Sequence, residues 1–168
     1  DGQTAEDFDI IKLGKVPDLI DGDIAFTYTV DGQKINKDMW TNKKVTVTAD
    51  VAENADEILN KFTIQTSKDN ITWYDAKSQI FTGNGHIFAR LSDGKNTGKA
   101  ISGNVTNIDT TEPKAFTPTA TSTTKNITVT ASTEDGDKTD ASGKSGIAGY
   151  RFKLDGGSWT EYQKNGEY

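Results

Sequence analysis

Two stretches of this chain repeat one another, and that repeat limits what the chain can fold into more than any single motif does. Phe62-Thr63-Ile64-Gln65-Thr66 continues through Ser67-Lys68-Asp69-Asn70 to Trp73, and Tyr150-Arg151-Phe152-Lys153-Leu154 continues through Asp155-Gly156-Gly157-Ser158 to Trp159. In both, Phe62, Ile64 and Thr66 or Tyr150, Phe152 and Leu154 alternate with polar residues, the two-residue period of a strand that buries one face. Asp69-Asn70 and Asp155-Gly156-Gly157 tolerate the positive φ of a tight hairpin. Each tryptophan then falls on the returning strand, where its ring is expected to cover the core. Two copies of one hairpin within 168 residues predict two small β domains rather than one large one.

The first copy carries the clearer strand pattern. Ile24, Phe26, Tyr28 and Val30 share one side of a strand, Val45, Val47, Ala49 and Val51 share another, and Ile87, Ala89 and Leu91 oppose His86, Phe88 and Arg90. With 62–66, Ile80-Phe81 and a closing run from Ala100 to Ile108, these make about seven strands separated by turns such as Asp31-Gly32 and Asp93-Gly94, the spacing of a Greek-key sandwich. The segment 52–60 has room for one helical turn and no stable helix. Pro113 breaks any ladder and biases Glu112 toward extended geometry, so it marks a boundary. Beyond it Ile127-Thr128-Val129-Thr130 restates Val45-Thr46-Val47-Thr48, and Asn165-Gly166 restates Asn84-Gly85. The predicted fold is all-β: an N-terminal arm over 1–21, a first domain over 22–109, a linker over 110–113 and a second domain over 114–168.

As written, the second domain lacks counterparts of the strands at 86–91 and 100–108. Three explanations stand: residues of a longer chain that are missing here, a reduced fold, or completion by a strand from elsewhere. Phe8, Ile10, Ile11 and Leu13 of the arm form an apolar run outside the repeat. It either packs on its own first domain or is offered to another chain as an added strand.

Composition removes several function classes. A net charge of −6 argues against nucleic acid, whose binding needs a basic surface. The chain has no cysteine and one histidine, which excludes disulfides, thiolate zinc sites, cysteine nucleophiles and histidine-rich metal centres. No run approaches the ~18 apolar residues of a membrane span, and Asp1-Gly2-Gln3 does not begin a signal peptide. Mean hydropathy is −0.66, yet the apolar residues are gathered into alternating runs, so folded sandwiches are expected rather than disorder.

Trp40-Thr41-Asn42 ahead of Val45-Thr46-Val47-Thr48, the hairpin that ends at Trp73, Asn84-Gly85-His86-Ile87-Phe88-Ala89-Arg90-Leu91, and Asn104-Val105-Thr106-Asn107-Ile108-Asp109 before Pro113 resemble the bacterial immunoglobulin-like repeats of Firmicutes secreted and cell-surface proteins. Ser145-Gly146-Ile147-Ala148-Gly149-Tyr150 and Asp155-Gly156-Gly157-Ser158-Trp159 carry the likeness in the second copy. It covers most of 22–168 and leaves the arm unexplained. The resemblance implies tandem immunoglobulin-like sandwiches in an extracellular setting on a bacterial surface. It further implies a non-enzymatic structural or adhesion role, as a spacer or presenter, with neighbouring repeats of a longer chain as partners and cell-wall or host glycans or proteins as possible ligands. Two alternatives remain: a carbohydrate-binding accessory unit of a surface hydrolase, and a pilin-like filament subunit self-associating by β-strand exchange.

Few residues suggest chemistry. Trp40, Trp73 and Trp159, with Tyr74 and Tyr162, either offer sugars a stacking platform or belong to the core, and repetition at equivalent positions favours the core. Trp40 has no counterpart in the second copy, where Ser122-Thr123 stands, and is the better single candidate for exposure, although a covering role is still favoured. Asp135, Asp137 and Asp140 put three carboxylates in one loop, the clustered hard oxygens that calcium takes. The run lacks the Gly and Glu positions of an EF-hand loop, and a solvated acidic loop is the plainer reading. Asp109 and Glu112 could hold a cation at the linker, against a salt-free flexible joint. His86 has no Ser-Asp constellation near it, and nothing supplies the cleft that a pair of glycosidase carboxylates would need. No cofactor is therefore expected, with calcium the one candidate.

Overall fold

The computed structural model describes residues 15–136 and 144–168. Among them the chain is all-β apart from one five-residue 3₁₀ turn. β1 (Ile24–Val30) turns at Asp31 and Gly32, at φ 49° and 78°, into the two-residue β2 (Gln33–Lys34). Positive φ at both central positions matches the right-handed twist of the flanking strands. β3 (Val45–Val51) lies antiparallel to β1, with Phe26 opposite Ala49 and Tyr28 opposite Val47.

After β3 the chain leaves this sheet. It passes through the 3₁₀ turn Glu57–Lys61, whose first turn is capped by Asp56 accepting from Ile58 N at 3.0 Å, and enters β4 (Thr63–Ser67). β5 (Ser78–Phe81) returns to pair with β3, while β6 (Gly85–Ser92) and β7 (Ile101–Val105) extend from β4. The outcome is one sheet ordered β2-β1-β3-β5 and another ordered β4-β6-β7. Two buried clusters each draw side chains from both sheets. One gathers Ile24, Ala49, Ile58, Leu59, Ile64 and Leu91; the other gathers Tyr28, Val47, Phe81, Ile87, Val105 and Ile108. The predicted alternation on β6 is realised in full, since Ile87, Ala89 and Leu91 are each 0% exposed.

The described end of the arm is part of this packing. Val16 and Leu19 are buried in the first cluster, Leu19 N donates to Lys99 O at 3.3 Å, and Lys99 N donates to Asp18 Oδ1 at 2.7 Å. Phe8, Ile10, Ile11 and Leu13 lie outside the described residues.

Beyond Pro113, β8 (Thr119–Ser122) pairs with β9 (Ile127–Thr130). The second hairpin is a thin ribbon in which Tyr150 and Gln163 exchange backbone bonds at 2.8 and 3.0 Å and Thr160 N donates to Phe152 O at 2.8 Å. Gly156 takes φ 70°, just as Asn70 takes 60° in the first copy. The buried face expected from Tyr150, Phe152 and Leu154 does not form. Tyr150 and Phe152 are half-buried and Leu154 is 62% exposed, because no described sheet lies over this face as the β2-β1-β3-β5 sheet lies over β4.

Candidate functional site

The expectation that the tryptophans fill the core is corrected: none joins either cluster. On β4 and β6, inward Ile64, Ala89 and Leu91 force Gln65 and Arg90 onto the outer face. There Asp75 accepts from Gln65 Nε2 at 2.7 Å, Gln65 Oε1 accepts from Arg90 Nε at 2.8 Å, and the Arg90 guanidinium sits 4.1 Å from the centroid of Trp73. Trp73 is thus a half-exposed lid over a fixed cation, an arrangement favoured by the ring quadrupole. Burial pulls the Arg90 guanidinium below its ordinary pKa, which still leaves it charged. In the second copy Arg151 stacks over Trp159 and Tyr162, at 5.4 and 4.7 Å from their centroids, and Trp159 is 58% exposed. The feature repeated in the two hairpins is therefore an arginine held against an outward tryptophan.

The turn that carries Trp73 is closed by Asp69. Its Oδ1 accepts from Thr72 N at 2.7 Å, from Ile71 N at 2.8 Å and from Ser67 Oγ at 2.8 Å. These bonds to the charged form, that of the Thr72 amide foremost, hold the carboxyl well below the usual carboxylate range. Asp93 does the same in the next turn, where the Asn96 and Lys95 amides lower its pKa. Both carboxylates are spent on backbone geometry, which removes them as general acids.

His86 is exposed, with Nδ1 2.8 Å from Asn104 Oδ1 and its ring 6.2 Å from that of Phe88. An amide oxygen only accepts, so this pairing puts the proton on Nδ1. Among the described residues no serine or carboxylate pairs with the ring, and they assemble no nucleophile–base arrangement there.

Trp40 lies at the junction of the two units. Thr41 N donates to Asn107 O at 3.0 Å and Asp109 N donates to Thr41 O at 2.9 Å, which lays the segment beside Ile108. Asp109 is buried and serves as a clamp: Oδ2 accepts from Ser145 N at 2.8 Å and Ser145 Oγ at 2.7 Å, while Oδ1 accepts from Thr111 N at 3.0 Å. Trp40, Asn42, Asp109 and Ser145 line an open cavity of about 180 Å³, and Trp40 is 41% exposed. The linker is packed as well, since a Cβ on Gly136 would fall 2.2 Å from the Glu112 carbonyl oxygen. The carboxylate expected either to hold a cation or to leave a flexible joint instead spans the joint by hydrogen bonds.

Of the acidic loop, Asp135 is described: its oxygens accept from Gly136 N at 3.0 Å and Gly146 N at 2.6 Å. Asp137 and Asp140 lie outside the described residues, among which no three potential metal ligands cluster. Nor, among them, is any helix long and apolar enough to cross a membrane.

Sequence reasoning missed Ser145 and both arginines. Ser145 is 36 residues from Asp109, and no local pattern links them. Arg90 and Arg151 do stand on the outward parity of their strands, a signal that was there to be used. Compared with protein-family profiles, curated proteins and solved structures, the chain has no match.

Proposed function

We propose that the chain is a tandem of immunoglobulin-like sandwiches acting as a non-enzymatic extracellular module of a bacterial surface protein, one that spaces or presents its neighbours. The observation that carries this reading is the Asp109 clamp, which ties the first unit to Ser145 of the second across a linker of a few residues. Strand orders β2-β1-β3-β5 and β4-β6-β7 support the sandwich part of the reading. A spacer transmits position, and position is kept only when the joint has one geometry. A buried carboxylate that loses its donors or is removed leaves unpaired groups, at a cost of about 1–3 kcal/mol, so the clamp resists opening.

The test uses the absence of native cysteine. Spin labels on Lys61→Cys and Lys125→Cys, one exposed site in each unit, report a single distance distribution. A narrow distribution in the otherwise native chain that broadens with Asp109→Ala is the expected result. A distribution already broad before the substitution, or unchanged after it, removes the spacer reading.

Exposure of Trp40 and Trp159 favours a second reading, the carbohydrate-binding accessory unit. Trp40 presents a ring beside Asn42 and Asp109 in the junction cavity, the mixture of aromatic face and hydrogen-bonding groups that pyranose rings require. On this reading insoluble peptidoglycan or chitin retains the native chain, and Trp40→Ala loses retention while Leu154→Ala does not. A chain that passes through both materials unretained ends it.

A further inference from the structure

The second unit has an open strand edge with a distinctive pattern. Tyr150 and Phe152 use their backbone groups on the 160–163 side, whereas the backbone N–H and C=O of Arg151 and Lys153 bond to nothing among the described residues. In the first unit the equivalent edge of β4 is taken by β6, with Ile64 opposite Leu91 and Gln65 opposite Arg90. Beside the open edge, Phe116, Val129, Ala131, Tyr150 and Phe152 line an apolar groove of about 260 Å³. Arg151 and Lys153 rim that groove, and neither has a carboxylate partner among the described residues. Two unopposed cations on a chain of net charge −6 mark a place that fits an acidic, apolar strand.

The chain itself contains such a strand. Asp7-Phe8-Asp9-Ile10 alternates acid with apolar residue, and Arg151-Phe152-Lys153 alternates base with apolar residue on the open edge. Paired in one parity, Phe8 and Ile10 face the groove with Tyr150 and Phe152, and Asp7 and Asp9 stand opposite Arg151 and Lys153 on the outer face. Cross-strand pairs of opposite charge and of apolar residues stabilise such a ladder, while a one-residue slip puts both sets on the wrong face. We propose that the arm of one copy, residues 7–10, adds as a strand to the Tyr150–Lys153 edge of a second copy, joining chains head to tail.

A second copy is favoured over the same chain by reach. Val16 and Leu19 hold the arm at the first cluster, beside Lys99, whereas Ile108, which leads to the joint, belongs to the other cluster. From Val16 to Ile10 an extended chain covers about 20 Å. β6, whose Ser92 end lies on the Lys99 side and whose Gly85 end pairs with Val105 on the way to the joint, is about 27 Å long by itself with its 8 residues, which already exceeds that reach. An interface that joins different surfaces of identical chains gives a closed ring, down to a reciprocal dimer, where the rotation closes and an open oligomer where it does not, and either is favoured as concentration rises.

Sedimentation velocity of the full chain over a concentration series tests this. The native chain is expected to move from its 18.2 kDa monomer to larger species as concentration rises, and less so at about 1 M salt, where screening acts within about 3 Å. The pair Asp7→Lys/Asp9→Lys remains monomeric, as does the pair Arg151→Glu/Lys153→Glu, and the chain carrying all four changes associates again. Arg151 and Lys153 are exposed, so their reversal keeps the fold; Phe8→Asp gives a monomer without touching the acceptor unit. A native chain that stays monomeric throughout overturns the proposal. So does association that survives either charge reversal, or a four-fold variant that fails to recover it.

Discussion

Replacing Leu91 with alanine is expected to destabilise the first unit by about 2–5 kcal/mol, the range for a large apolar side chain removed from a closed core. Leu91 is 0% exposed and sits opposite Ile64 across β4 and β6, against Ala49, Ile58 and Leu59. Those neighbours are fixed by two sheets and by the capped 3₁₀ turn, so the space left by the truncation cannot collapse cheaply. The same change at Leu154, 62% exposed in the second hairpin, is expected to cost less than about 0.5 kcal/mol. Urea denaturation followed by far-ultraviolet circular dichroism measures both. Equal losses at the two sites would mean that the second hairpin is as closed as the first, and the open groove beside Tyr150 would not exist.

That contrast bears on what could be read from residues alone. Period-2 alternation names the inward face of a strand, and on β1, β3, β4 and β6 it named the buried residues, because each of those strands has an opposing sheet to bury them against. In 150–154 the same alternation is present, yet Leu154 remains in solvent. Alternation states which side would be buried and is silent on whether anything covers it. Turns were legible for a local reason: Asp31-Gly32, Asn70 and Gly156 adopt the positive φ their residue types allow without help from distant contacts.

The site was less legible because its determinants are non-local. Tryptophan is read as core from its size, but Trp73 and Trp159 each meet an arginine whose charged head must stay near water, and the pair is stable at the surface. Asp109 next to Pro113 reads as a solvated linker acid. Its burial follows from Thr41, bonded to it from 68 positions earlier in the chain, and from Ser145 in the other unit. Neither partner is marked by any local pattern. The arm shows the same limit, since an apolar run ahead of a proline does not say where Val16 and Leu19 will dock.

Docking of that segment depends on Gly98, and Gly98→Ala is expected to undo it. A Cβ at this position would lie 2.0 Å from the Pro17 carbonyl oxygen and 2.9 Å from its carbon, so backbone must move. The Gly98 side is held by its own N–H, which donates to Leu91 O at 3.1 Å, and by the bridge between Ser92 and Thr97. The segment around Pro17 is held by less: the two bonds to Lys99 and the burial of Val16 and Leu19. It is therefore the part that gives way. Each of those two side chains returned to water costs up to about 1.5–3 kcal/mol, an upper range because an unfolded chain already shields some apolar surface. The loss should appear as a lower denaturation midpoint together with new proteolytic cleavage near Lys15. A chain lacking residues 1–19 should be destabilised to a similar degree, and in that background Gly98→Ala should be nearly neutral because the clash has no partner. An equal penalty in both backgrounds would place the cost in the β6–β7 loop itself and leave Pro17 out of it. If the penalty disappears with the segment, the close approach of Gly98 and Pro17 is what seats Val16 and Leu19 in the first cluster.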